Sequence, residues 1–183
     1  GMHRFYVPLA ANAADIVELP EREAHHAASV LRIRPGERAA MLDGRGLVLE
    51  GEALAVTKRA VSLQVLKRHH LRRPRWSVTL FPAVAKTKSM DWIIQKATEL
   101  GVARITPVQC AHCVSHSNED AAEAKVEKWR AIAVESIKQC GSPWLPEIDP
   151  PRNLPACLRE LAPSHLSLVA SLAPGAASVR ETF

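Results

Sequence analysis

The chain has 183 residues, 47% of them hydrophobic and 23% charged, with a formal net charge of +5. That composition excludes a disordered polymer, and no run approaches the roughly 20 consecutive apolar residues of a membrane-spanning helix. Four cysteines are too sparse for a disulfide-stapled secreted domain and no signal-like block opens the chain, so a cytoplasmic location is expected.

The front part reads as short β elements. His3 to Val7 has strand character, and Pro20 opens a predicted helix from Glu21 to Leu31, with Glu18, Glu21 and Glu23 around its positive end. The Pro35–Gly36 turn, a run from Arg38 to Leu42 and an Asp43–Gly44 hairpin signal follow. Leu47 to Val56 and Ala60 to Leu66 are strands separated by the polar Thr57–Lys58–Arg59 turn. Short strands at such spacing suggest a small β-barrel that leans on its neighbour for a core.

Charge is unevenly divided. Up to Arg75 there are 13 Lys and Arg against 8 Asp and Glu, and beyond it 11 of each. The densest piece runs from Lys67 to Arg75 without an acid. A segment of this kind either draws the protein to nucleic-acid phosphate by counterion release or is a solvated linker.

After Pro74 the pattern changes. Ser77 to Val84 reads as a strand, and Ser89 caps a predicted helix from Met90 to Leu100, stopped by Gly101. Its apolar face is Met90, Ile93, Ile94, Ala97 and Leu100 at helical spacing. Ala103 to Gln109 is the next strand. Ser117 and Asp120 form a capping-box pattern ahead of a long helix that buries Ala122, Val126, Trp129, Ile132, Ala133 and Ile137 and ends at Gly141. Asn153 caps a short helix through Leu161, and Leu166 to Leu172 is apolar enough for a central strand. Strands alternating with helices in this way make an α/β domain with a parallel sheet, here thin and unfinished.

No glycine-rich nucleotide loop and no GxSxG elbow occurs. Cys110, His112, Cys113 and His116 invite a zinc or redox reading, but a closed zinc site wants two spaced ligand pairs and a redox CxxC opens a helix rather than following a strand. They are read as ordinary half-buried thiols and loop histidines, and no metal is expected. Lys86, Lys88, Gln95, Lys96 and Glu99 gather where a strand end meets a helix start; by themselves they fit a solvated helix face. His25 and His26 read as surface residues, and Trp92 and Trp129 as core, Trp92 at its edge.

Several segments carry a resemblance. They are Arg4–Phe5, His26 with Val30–Leu31–Arg32 and Arg34–Pro35–Gly36, Asp43–Gly44, and Lys86 ahead of the run from Met90 to Val102. Ile105–Thr106–Pro107, Lys128–Trp129, Gln139–Cys140–Gly141 and Pro146–Glu147–Ile148 follow in order. Together they resemble the RsmE family of bacterial enzymes that methylate N3 of a uridine in small-subunit ribosomal RNA. The resemblance implies an α/β protein with a PUA-like β-barrel over residues 2–73 and a SPOUT-type methyltransferase domain over 74–183. It also implies S-adenosylmethionine as cofactor, ribosomal RNA rather than DNA or membrane as partner, and a homodimer. RNA contacts are expected at Arg4, His26, Arg32, Arg34, Lys58, Arg59 and Lys86, with Gln95, Lys96 and Glu99 near the active cleft.

The family's G-P-E-G-G and L-R-T-E-T segments, which form most of the cofactor pocket and knot, have no counterpart here. Only the loop at Leu172–Ala173–Pro174 matches, with Ala173 where some relatives carry histidine and Ser142 where many carry arginine. A C-terminally truncated enzyme, inactive by itself, is therefore expected, and no residue is assigned as the base that takes the N3 proton. The alternatives are a non-catalytic RNA-binding module, with salt-sensitive RNA affinity but no cofactor affinity, and a small zinc protein dependent on Cys110 and Cys113.

Overall fold

The computed structural model describes residues 2–8, 14–84, 86–109, 119–161, 166–170 and 174–176. Its first half is a five-stranded sheet in the order β1-β3-β4-β5-β2. The strands are β1 (His3–Tyr6), β2 (Ile16–Glu18), β3 (Arg38–Leu42), β4 (Leu47–Val56) and β5 (Val61–His70). β1 lies parallel to β3 and the other pairings are antiparallel. Alternation along β4 sends Leu47, Leu49, Gly51 and Ala53 inward. Phe5, Met41 and Leu63 are fully buried against them, each stabilising the fold by about 1.5–3 kcal/mol relative to exposure. The β4–β5 register slips at Glu50/Gly51 and again at Ala53/Ala55, bending the ribbon. Gly51 is needed at the first slip, because a Cβ there would stand 2.8 Å from the Gln64 carbonyl oxygen.

The expected strands are thus in place, and β2, which the sequence reading does not include, pairs with β5 at the sheet edge. β5 runs on to His70, four residues past the expected end at Leu66, so Lys67, Arg68, His69 and His70 belong to a strand. Their side chains are exposed, and a solvent-facing β surface accepts charge that the core would not.

Helix α1 (Glu21–His25) begins after Pro20 and passes into a π-helical stretch, His26–Leu31. Together they span the expected helix. The stretch stops at Arg32, whose backbone accepts the left-handed conformation (φ 54°) while its N–H bonds the Ala27 carbonyl.

The second half has shorter strands than expected. β6 (Thr79–Leu80), β7 (Arg104–Ile105) and β9 (Glu147–Ile148) form a parallel sheet in the order β6-β7-β9, while β8 (Val108–Gln109) pairs in parallel with β10 (Arg152–Asn153). Pro107 explains why Ala103–Gln109 is not one strand: it has no N–H to donate to a ladder. Of the central strand expected over Leu166–Leu172, residues 166–170 are described and are in neither strand nor helix, and Leu166, Leu168 and Val169 are exposed. Its apolar sequence was the whole signal; no described strand pairs with it.

Helix α2 (Thr87–Glu99) starts two residues before the expected cap. Lys86 occupies the N-cap position, without a side-chain cap, and Ser89 lies inside the first turn. Met90, Ile94 and Ala97 are buried as expected, but Leu100 falls past the helix end and is 84% exposed. Helix α3 (Glu119–Cys140) buries Trp129, Ala133 and Ile137 and ends at Gly141 (φ 78°). Ser117 lies outside the described residues. Helix α4 (Leu154–Arg159) carries the expected cap, Asn153 Oδ1 accepting from the Ala156 N–H at 2.9 Å. Met90, Ile94, Ile105, Trp129, Ala133 and Ile148 make a second core.

The two halves are fastened at a seam. Arg4 Nη1 donates to the carbonyls of Lys138 and Gln139 at 3.2 and 3.0 Å, satisfying orphan acceptors at the end of α3. Beside it Lys138 Nζ pairs with Glu23 Oε1 at 3.1 Å, each side chain only 9% exposed. The β3–β4 loop supplies the rest: Gly46 N–H bonds Pro143 O, and Leu145 N–H bonds Gly44 O. Gly46 (φ 102°) has Trp144 so close that a Cβ would meet its ring at 2.5 Å.

Candidate functional site

Asp43 shapes the loop that joins the halves. Its Oδ1 accepts from the backbone N–H groups of Arg45 and Leu47 at 2.7 and 2.9 Å, forming an Asx turn where the Asp43–Gly44 hairpin signal falls. Arg45 is left exposed at the loop tip.

The residues expected to meet RNA fall into separate groups. Arg32, Arg34, Lys58, Arg59 and Lys86 are exposed and His26 is half-buried. Arg32 and Arg34 flank the exit of the π-helical stretch, while Lys58 and Arg59 cap the β4–β5 hairpin. Thr57 holds that turn by accepting from the Ala60 N–H and donating to the Ala60 carbonyl. Lys86 lies apart, at the start of α2. Arg4 is engaged instead at the seam with α3, a role that sequence alone did not signal because its partners are 134 and 135 residues away.

Gln95, Lys96 and Glu99 do come together. Gln95 Nε2 donates to Glu99 Oε1 at 3.0 Å and Lys96 Nζ to Glu99 Oε2 at 2.7 Å. The Lys96 hydrogen bond, then that of Gln95, holds the Glu99 carboxyl below its ordinary range. Glu99 is therefore an anion at neutral pH and a weak proton acceptor, suited to orienting the two donors. Gln95 also lines a shallow depression of about 420 Å³ between the halves, with Arg22, Lys128, Ile132, Ser136 and Gln139. Lys128 Nζ is held at 2.9 Å by Asp91 of α2.

A second ion pair stiffens the parallel sheet. Arg104 grips Asp149 with two hydrogen bonds, at 2.7 and 3.0 Å, and Thr106 Oγ1 donates to the same carboxylate at 2.6 Å. Burial pushes the Asp149 carboxyl up, but these donors outweigh it and leave it below the usual range.

Of the loop expected to touch cofactor, Leu172 and Ala173 lie outside the described residues, and Pro174 is exposed in a turn with Gly175. Pro174 does not line the depression at Gln95, nor a second one lined by Lys88, Ser89, Trp92 and Ile93. Cys110, His112, Cys113 and His116 also lie outside the described residues, among which no group of three or more His, Cys, Asp or Glu could hold a metal. No helix among the described residues is long and apolar enough to cross a membrane.

A sheet domain rich in exposed cations is thus fastened to a parallel α/β domain. The family profile described as RNA methyltransferase domain matches residues 72–180, and that described as RNA methyltransferase PUA domain matches 19–66. The chain belongs to this RNA methyltransferase family, with a PUA-like sheet followed by a SPOUT-type domain.

Curated relatives bear the name Ribosomal RNA small subunit methyltransferase E. The Mycobacterium bovis protein is 28% identical over 145 residues, 79% of this chain and 55% of the relative. The Aquifex aeolicus protein is 30% identical over 154 residues, 84% of this chain and 65% of the relative. Among solved structures, a Legionella pneumophila protein described as a methyltransferase with bound SAM matches at 28% identity and TM-score 0.82, over 92% of this chain and 69% of that one. Ribosomal RNA small subunit methyltransferase E of Neisseria gonorrhoeae, bound to S-adenosyl methionine, matches at 26% and 0.80, over 89% and 67%. The chain spans little more than half the length of curated relatives such as that of M. bovis.

Proposed function

We propose that the chain is the RNA-holding part of an S-adenosylmethionine-dependent methyltransferase that modifies N3 of a uridine in small-subunit ribosomal RNA. The carrying observation is the rigid seam, where Arg4 and the Glu23–Lys138 pair lock an RNA-binding sheet onto the methyltransferase domain. Only a fixed relation between the two lets a contact on one place a base at the other. The domains are proposed at residues 2–73 and 74–183, the location as cytoplasmic and the assembly as a homodimer.

The cofactor supplies an electrophilic methyl group. The protein must hold the uracil unstacked and oriented, and N3 must lose its proton. Arg32, Arg34, Lys58 and Arg59 supply phosphate contacts from the sheet domain. Lys86 steers RNA toward α2, where the Gln95–Lys96–Glu99 cluster faces the approach. The Leu172–Ala173–Pro174 loop is the cofactor contact proposed within this chain.

Filter binding of the chain to small-subunit ribosomal RNA across a salt series tests the reading, alongside calorimetric titration with S-adenosylmethionine. RNA affinity that falls steeply with salt supports it, and a folded chain without RNA affinity overturns it. Methylation at N3 removes a Watson–Crick donor, so it registers as a reverse-transcription stop. RNA binding without cofactor binding favours the second reading, a non-catalytic RNA-binding module.

A further inference from the structure

Trp76 is 81% exposed, on the connector between the two sheets. Nothing in the fold explains so much bare indole, since a Trp normally buries most of its surface. The connector is not slack. Leu71 N–H bonds the Gly46 carbonyl at 2.8 Å, and the Val78 carbonyl accepts from the Ala103 and Arg104 N–H groups at 2.9 and 3.3 Å. Between these anchors the Arg73 guanidinium stacks 5.0 Å from the Trp144 ring centre, and that of Arg75 lies 5.9 Å from the Trp76 ring centre. Arg75 thus covers one face of the indole and leaves the other open.

The surroundings are cationic. Arg72 and Arg75 are exposed and have no carboxylate partner among the described residues. Arg45 is exposed on the loop that receives Leu71, and its neighbour Gly46 bonds Pro143 beside Trp144. An exposed indole with Arg75 against one face, on a connector that carries further exposed arginines, matches what single-stranded nucleic acid presents, a base with a π-face every nucleotide and phosphates between. A folded protein surface offers no such regular anionic spacing, and duplex RNA keeps its bases stacked inside.

We infer that the Arg72–Trp76 connector is a docking ledge for unpaired RNA, with Trp76 stacking one base and Arg45, Arg72 and Arg75 meeting the flanking phosphates. This deepens the proposed function and rests on its RNA-binding reading. It assigns the contact to a surface outside the π-helical exit and the β4–β5 hairpin. Since the ledge is pinned to both halves, it would set the strand's path from the sheet domain to α2.

The test is fluorescence anisotropy of a labelled single-stranded ribosomal RNA segment and of the same sequence as a duplex, with the whole chain. Trp76→Ala should weaken single-strand binding by about 5- to 150-fold, the worth of one stacked base, leave duplex binding unchanged, and be largely rescued by Trp76→Phe. Arg72→Ala with Arg75→Ala should lower the salt slope for single-strand binding by about 1.4, or about 0.7 per lost phosphate contact. Circular dichroism confirms the fold of each variant. Single-strand affinity unchanged in Trp76→Ala overturns the inference while the proposed function stands. Failure of the unaltered chain to bind either RNA overturns both. Self-association abolished by Trp76→Ala, seen by sedimentation with RNA affinity intact, would make the indole a protein contact and also overturn the inference.

Discussion

Glu23 and Lys138 meet across the seam at 3.1 Å, and both side chains are nine-tenths buried. The pair is asymmetric. Lys138 has a second partner in Glu135 at 3.1 Å, whereas Glu23 Oε2 is buried with no hydrogen-bond partner. Removing either side leaves a different residue in difficulty.

Lys138→Ala should therefore be the worse substitution, costing about 3–5 kcal/mol because it strands a buried carboxylate. Glu23→Ala should cost less, since Glu135 still holds the ammonium. Urea denaturation of the two variants checks the order; equal losses would mean the second partner contributes nothing.

Gly141→Ala should also open the seam. The residue sits at φ 78°, and a Cβ there would press to 3.1 Å from the Arg4 guanidinium. Backbone strain alone costs about 1–2 kcal/mol, and displacing Arg4 exposes the carbonyls of Lys138 and Gln139. Hydrogen exchange should show faster opening at the end of α3 than in β4.

Arg32→Gly separates strain from function. Releasing a non-glycine residue from φ 54° should leave stability unchanged or raise it by up to about 1 kcal/mol. If Arg32 meets phosphate, the same variant should bind RNA more weakly and with a shallower salt dependence. Thermal melts and filter binding on one preparation read both.

Asp149 makes stability depend on acid. Burial raises its carboxyl, yet Arg104 and Thr106 hold it below the ordinary value, so the folded state binds this proton less readily than the unfolded chain. The resulting stability is fully present above the unfolded carboxylate pKa of about 3.9 and is lost as pH falls through the lower folded value. Asp149→Asn should be less stable than the parent at neutral pH, with the difference shrinking in acid. A difference that stays constant with pH would assign the effect to packing.

Much of the fold was legible locally. The ends of β3 and β4, the Asp43 turn, the span Glu21–Leu31 and the stop at Gly141 follow from propensity, periodicity and turn chemistry. The errors share another cause. Whether Leu166–Ala170 joins a sheet depends on partners far along the chain, and hydrophobicity does not name them. β5 outran its expected end because charge on an exposed strand face looks like a linker until its cross-strand neighbours are known. At the site, Gln95, Lys96 and Glu99 were readable as a helical cluster, but their mutual hydrogen bonds came only with the structure. Trp76 carries no local sequence signal, because a bare tryptophan is recognisable only from its exposure.

The distance in sequence between Arg4 and the carbonyls it caps, 134 and 135 residues, sets a clock on biosynthesis. At about 5–20 residues per second, an emerging chain carries Arg4 for roughly 7–27 s before the end of α3 exists to receive it. Through that interval β1 can pair with β3, but the face meant for the seam stays wet, with Glu23 awaiting its lysine. The nascent sheet domain must tolerate that wait. Slowing translation within α3 would lengthen it, and protease sensitivity of ribosome-bound intermediates should end only once Gly141 has emerged.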